Sequence, residues 1–281
     1  MTKLLSAGYR RLFRSLVFWL GLAASCAYSL LAVLNNFYYA TAWGETSIKA
    51  DHTLLPDGLI LSLIIAIIVA LFVGREYSDK TIRNKIITGH SRLAIYLSNL
   101  IVCSTATVIL FVVPTLLVGL GVGAPLMGGF ELPAKAFILP ALCGLLALLG
   151  FNALFILVAM SVQNRTVAAV AILLLAFLLA WIPQPLWEAL DAPKQVEEYV
   201  YAEELDEFIT TDKMIENPAY VGGATRVVYQ ILYNVLPGGQ IYQSSPFNKT
   251  ADMDHLPFCA LVFIAVTTAG GLVIFKKKEL K

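Results

Sequence analysis

The sequence predicts an all-α polytopic membrane protein with six transmembrane helices, and three observations carry that reading. Apolar residues make up 58% of the 281 positions, and the mean hydropathy is +0.76, far above an ordinary soluble domain. Six stretches run without a single charge: 15–34, 58–74, 93–130, 136–164, 166–187 and 256–275. The charges that remain are divided very unevenly between the segments joining those stretches. A helix rising about 1.5 Å per residue needs about 20 residues to cross roughly 30 Å of hydrocarbon. Six runs meet or nearly meet that length; 58–74 is short, so its ends reach into the interface. The two-residue alternation of an outer-membrane barrel is absent.

Charge orients the bundle. With the N-terminus inside, the inner segments hold fourteen basic residues, whereas the short outer loops 35–57 and 122–135 hold only Lys49 and Lys135. Short loops obey the positive-inside rule, so both termini are expected on the cytoplasmic side of a cell (inner, cytoplasmic) membrane. The segment 188–255 is too long to count in that comparison, and it carries twelve acids against four bases. The chain thus divides into 1–187, with an N-terminal interfacial helix and five spans; 188–255, an acidic extracytoplasmic segment; and 256–281, the last span with its basic tail.

Taken in order, the first fifteen residues place Leu5, Tyr9, Leu12 and Phe13 on one helical face with Arg10, Arg11 and Arg14 around it. That pattern fits a helix lying in the membrane interface with snorkelling arginines, or a basic flank that only sets orientation. The first apolar run is too long for the core of a cleavable signal peptide. Pro114 predicts a kink in the third span. The fifth span leaves through Trp181-Ile-Pro-Gln-Pro-Leu-Trp187, an exit suited to the outer interface. Beyond it, acidic residues 191–217 are expected to form one or two water-exposed helices. In 219–240, Val227, Val228, Ile231, Leu232, Val235 and Leu236 recur at helical spacing until Pro237-Gly238-Gly239 stops the run. This is either an amphipathic helix on the outer ends of the spans or in the bilayer, or the core of a small outer domain.

Several chemistries are disfavoured. No Gly-Lys dipeptide occurs, so the chain has no phosphate-binding GxxxxGK loop. Leu236-Pro-Gly-Gly-Gln240 looks like an ATPase signature, but a helix-ending turn accounts for it. His52, His90 and His255 have no partner at ligand spacing, and Cys26, Cys103, Cys143 and Cys259 all fall within spans without metal-ligand spacing. Charged residues are missing from the span interiors, and a charge at mid-bilayer costs about 2.5–3.5 kcal/mol. An ion- or proton-coupled transporter is therefore disfavoured. No catalytic residue, metal or cofactor is expected in this chain, and no nucleic-acid partner.

One segment stands apart. Residues 74–92 carry five basic and two acidic residues between two long apolar runs. Ser78 can cap a helix over 79–88 that Gly89 stops, and Ser91 can cap the third span. Ile82, Ile86 and Ile87 would share one face, with Lys80, Arg83, Asn84 and Lys85 around the rest. Such a helix can seat its isoleucines in the groove of a soluble partner, or simply lie on anionic lipid. The residues Arg75, Glu76, Tyr77, Asp79, Thr81, Ile82, Arg83, Asn84, Gly89, Ser91 and Arg92 resemble, in order and kind, the first cytoplasmic loop of type-2 ABC exporter permeases.

That resemblance implies a cytoplasmic coupling helix at 78–89, seated in a cleft of a separately encoded ATPase. Arg75, Glu76, Tyr77, Asp79, Thr81, Ile82, Arg83, Asn84, Ile86 and Gly89 are its expected coupling residues. It further implies two ATPase copies that bind ATP and Mg, a second permease copy forming a dimer (a homodimer is the working expectation), and cargo moving outward. Apolar walls and the acidic outer segment point to an amphipathic or hydrophobic substrate, with a peptide, toxin or antimicrobial as the best guess, within a shell of membrane lipids. The competing reading is a non-transporting receptor or immunity protein that binds peptides on its outer segment.

Overall fold

A computed structural model describes residues 1–42, 49–55, 57–202, 207–244 and 253–278. Its elements are α1 (Thr2–Phe13), α2 (Leu16–Ala42), α3 (Gly58–Ser78), α4 (Thr81–Ile87) and α5 (Arg92–Pro114), followed by α6 (Ala124–Leu126), α7 (Lys135–Ser161), α8 (Arg165–Trp181) and α9 (Pro183–Asp191). Strands β1 (Gln195–Ala202) and β2 (Glu207–Glu216) precede α10 (Gly223–Val235), α11 (Pro237–Gln243) and α12 (Leu256–Lys277). Six helical segments are long and apolar enough to cross a membrane: α2, α3, α5 with its extension through α6, α7, α8 with α9, and α12. The protein is an all-α, multi-pass membrane protein.

Helix α7 is the centre of the bundle. It packs against α3, α5, α11 and α12, and Phe151, Phe155, Ile156 and Met160 on it have no exposed surface. Helices α3 and α5 surround it, whereas α2, α8 and α12 lie outside and turn many aliphatic side chains outward. Pro114 does not break its helix. The backbone continues from Thr115 to Gly123 in a wider π-helical winding. Helix α1 forms as its periodicity predicts, but its apolar side meets protein. Leu4 and Leu12 are buried, and the Tyr9 hydroxyl bonds the Thr105 hydroxyl on α5 at 2.9 Å.

The far end of the bundle departs from expectation. Residues 195–216 pair as an antiparallel hairpin, Gln195 opposite Glu216 through Ala202 opposite Glu207, with a slip between Glu197 and Glu198. Acidity suggested a solvated helix, yet the segment is rich in Val, Ile, Thr, Tyr and Phe. Such residues suit a pleated ribbon, and like charges at helical spacing would repel. Helix α10 forms as expected, and Val227, Val228, Ile231, Leu232 and Val235 lie on its surface away from the bundle. Pro237-Gly238-Gly239 is more than a stop. Pro237 opens α11, and all three residues are buried. A Cβ on Gly238 would collide with the Leu179 carbonyl oxygen, and one on Gly239 with that of Tyr233. The glycines let two backbones touch, joining α11 to α8 and α10.

Gly238→Ala should therefore cost at least about 2 kcal/mol, since overpacking against a backbone carbonyl cannot relax by a rotamer change. Gly144→Ala, whose Cβ would meet its nearest neighbour at 3.5 Å, should be close to neutral. Thermal denaturation of the detergent-solubilised chain separates the two.

Candidate functional site

The charged stretch folds at the end of the bundle that also holds α1 and the end of α12. Helix α3 ends at Ser78, Asp79 closes it, and Lys80 turns the backbone through the left-handed region at φ 55°. Helix α4 then runs for seven residues. Its end is a Schellman turn: Gly89 N–H donates to the Ile86 carbonyl at 2.9 Å and His90 N–H to that of Lys85 at 3.1 Å. Gly89, at φ 87°, holds a conformation that L side chains resist. Ser91 caps α5, accepting from Ala94 N–H at 3.2 Å.

A buried carboxylate organises this end. Glu76, in the last turn of α3, is 1% exposed. Arg11 of α1 reaches its Oε1 at 2.6 Å, and Lys85 of α4 makes a close ion pair with the same oxygen. Asn99 of α5 donates to Oε2 at 2.7 Å. The Arg11 guanidinium also lies 3.8 Å above the Phe72 ring. One anion thus joins four helices. The Thr81 hydroxyl adds a bond to the Glu76 carbonyl at 3.1 Å, so α4 is tied to α3 through both its start and Lys85.

Two further ties reach the remaining helices. The Tyr77 hydroxyl donates to the Met160 carbonyl, near the end of α7, at 2.6 Å. Lys278 Nζ donates to that carbonyl at 3.0 Å and lies 4.6 Å from the Tyr77 ring centre. Arg92 Nη1 donates to the carbonyls of Phe275 and Lys276, both at 3.0 Å, and to that of Lys278. A cation at the last carbonyls of α12 is where the helix dipole favours one. Burial pushes the Lys278 ammonium down to about 8.

The expected coupling residues therefore separate into groups. Arg83, Asn84 and Gly89 are exposed, as is Asp79. Thr81, Tyr77 and Ile86 are half-buried, and Ile86 packs against the core. Ile82 is 2% exposed and belongs to the chain's own core, so it is not offered to a partner here. The three isoleucines do not share one outward face: Ile87 alone is well exposed, at 72%. Arg75 lies on a cavity beside α1, together with Arg10, Arg11 and Arg14. Ser78 does not cap α4. Its hydroxyl donates back to the carbonyls of Gly74 and Arg75 in α3, because Lys80 rather than Ser78 precedes the helix.

Reading the sequence alone missed Arg11, Asn99 and Lys278 as partners of this stretch, and it named Glu76 as a coupling residue without its buried partners. Asn99 was the available signal, since a polar amide within an apolar span implies a buried partner. At the opposite end, a cavity of about 480 Å³ opens between α2, α3, α5, α7 and α11, lined in part by Tyr28, Ser29, Asp51, Asp57, Phe111 and Tyr242. The Asp51 carboxylate is held by the Glu131 and Leu132 N–H groups at 3.0 and 2.9 Å. Asp57 caps α3 through Leu59 and Ile60 N–H.

Residues 5–180 fit the family model described as ABC-2 family transporter protein. No curated protein matches the chain.

Glu76→Gln should destabilise the protein by about 3 kcal/mol, because it strands two cations that Glu76 now neutralises. Lys85→Gln, which leaves the Arg11–Glu76 pair intact, should cost clearly less in the same denaturation experiment. The docked tail has a pH signature. Lys278 binds its proton less tightly in the folded chain than in the unfolded one, so its contribution rises with pH between about 8 and about 10.4. Across that window the stability of the wild type should rise relative to that of Lys278→Met.

Proposed function

Because the chain belongs to the ABC-2 family of transporter proteins, we propose that it is the permease subunit of an ATP-driven exporter whose motor is a separate ATPase seated on α4. The family supplies the plain part of that statement: this is a transmembrane transporter subunit, and such subunits work with an ABC ATPase in general. The observation that carries the rest is how α4 is held. Its inner face, its start and Lys85 are bonded into the bundle, while the side chains of Arg83, Asn84 and Ile87 face outward with no described partner. A push on that outer face has nowhere to dissipate. It passes through Lys85 to Glu76 and so to α1, α3 and α5, and through Tyr77 and Arg92 to α7 and α12.

In this reading two ATPase copies bind ATP and Mg, their closure on ATP moves the spans, and two permease copies form the path. The termini and α4 face the cytoplasm, as the basic residues at that end favour. The far cavity combines Phe111 and aliphatic walls with Tyr28, Asp51 and Asp57, which supports an amphipathic cargo. The acidic hairpin before α10 supports a cationic one, drawn outward in a salt-dependent way. A peptide meets both descriptions.

The structure also changes which substitution tests the ATPase contact. Ile87→Asp places a carboxylate where an apolar contact would be desolvated, which costs about 2 kcal/mol or more at an interface, some 30-fold in Kd. It should leave membrane yield unchanged while co-purification with the cognate ATPase and cargo-stimulated ATP hydrolysis collapse. Ile82→Asp should instead fail at folding, since that position is core. Undiminished ATPase association in Ile87→Asp would sink the proposal.

A further inference from the structure

We propose that the cavity between α1, α2 and α3 is a binding site for the phosphate of an anionic phospholipid, with an acyl chain lying along its apolar wall. The cavity encloses about 430 Å³. Arg10, Arg11 and Arg14 of α1 and Arg75 of α3 line it, and Phe18 and Phe72 are part of its wall. Four guanidiniums around one opening repel each other unless an anion joins them. Glu76 answers only part of this charge: it takes one nitrogen of Arg11 and shares its oxygen with Lys85. Arg11 Nε and Nη2 are buried without a described hydrogen-bond partner, the guanidinium lying 3.8 Å above the Phe72 ring, so the cavity's accessible donors are those of Arg10, Arg14 and Arg75. None of Arg10, Arg14 and Arg75 makes a side-chain hydrogen bond or ion pair with another described residue.

The chemistry of the lining selects the occupant. Arginine presents its donors as a planar fork that fits phosphate oxygens two at a time. The apolar side is contributed by the first turns of α2 and by α3, both of which are membrane spans. At this level α2 turns Leu16, Trp19 and Leu20 outward, with 71, 51 and 59% of their surfaces exposed. The Trp19 indole donates to the Phe13 carbonyl at 2.8 Å, as suits an aromatic at the headgroup layer. Charge above and hydrocarbon below is the profile of a phospholipid. A free phosphate would use only the upper half. The site stands whether or not α4 seats an ATPase, because it involves neither α4 nor any transported cargo.

Delipidated full-length protein in detergent would be titrated with phosphatidylglycerol, with phosphatidylcholine and with inorganic phosphate, and bound molecules counted by native mass spectrometry. The wild type should retain one phosphatidylglycerol per chain in preference to phosphatidylcholine. Arg14→Gln combined with Arg75→Gln should weaken that binding about 30-fold, at about fivefold per arginine. Both side chains are exposed and have no partner among the described residues, so folding should survive. Lys276→Gln with Lys277→Gln removes equal charge from the same end and should leave binding within about twofold. Equal loss from both pairs would overturn the site in favour of general surface attraction. Tight binding of inorganic phosphate, or its displacement of the lipid at constant ionic strength, would overturn the lipid assignment. Unchanged lipid binding in the arginine pair, with ATPase association lost, would give the arginines to a protein partner instead.

Discussion

Everything at the termini end of this protein depends on one carboxylate kept away from water. Removing Glu76 from solvent costs several kcal/mol, and the arrangement is favourable only because Arg11, Lys85 and Asn99 all reach it. Each partner comes from a different helix, so satisfying the charge and assembling the helices are one event. A hydrophobic contact tolerates sliding by an ångström or two. A charge-assisted hydrogen bond near 2.7 Å does not. Glu76 therefore fixes register where apolar packing alone would leave it loose.

The same logic explains the placement of charge in the chain as a whole. Spans α2, α8 and α12 present long aliphatic surfaces that specify little about their neighbours. Specificity is gathered at their ends. Near the termini it is electrostatic, through Glu76, Arg92 and Lys278. At the far end it is steric, through Gly238 and Gly239, whose missing side chains admit the backbones of α8 and α10. The far cavity adds two carboxylates committed to backbone N–H groups, which hold the linkers entering α3 and α7.

Much of this was legible from residue order. The six spans follow from the length of uncharged runs, and α4 from its charged, isoleucine-bearing sequence and the glycine that ends it. Helix α10 follows from its spacing. What failed did so for physical reasons. The hairpin was hidden because acidity was weighed above the β-branched and aromatic residues beneath it. The face of α4 differs from expectation because, in a seven-residue helix, the packed neighbours decide which isoleucine is covered. Arg11 lies 65 residues before its partner Glu76, and nothing in the spacing announces that pair. Asn99 announced only that some partner exists.

Arg92 gives the chain an order in time. It sits near the beginning of the third span, and the carbonyls it binds belong to residues 183 to 186 positions later. Those acceptors exist only once the ribosome has delivered the last span. Until then the guanidinium and Tyr77 lack their final partners, and the end of the bundle that holds α4 is incomplete. A chain interrupted before Leu256 would carry five of its six spans and the whole of α4, yet Arg92 at the start of α5 would have no α12 carbonyls to bind. The carbonyls at the end of α12 act as a completion seal.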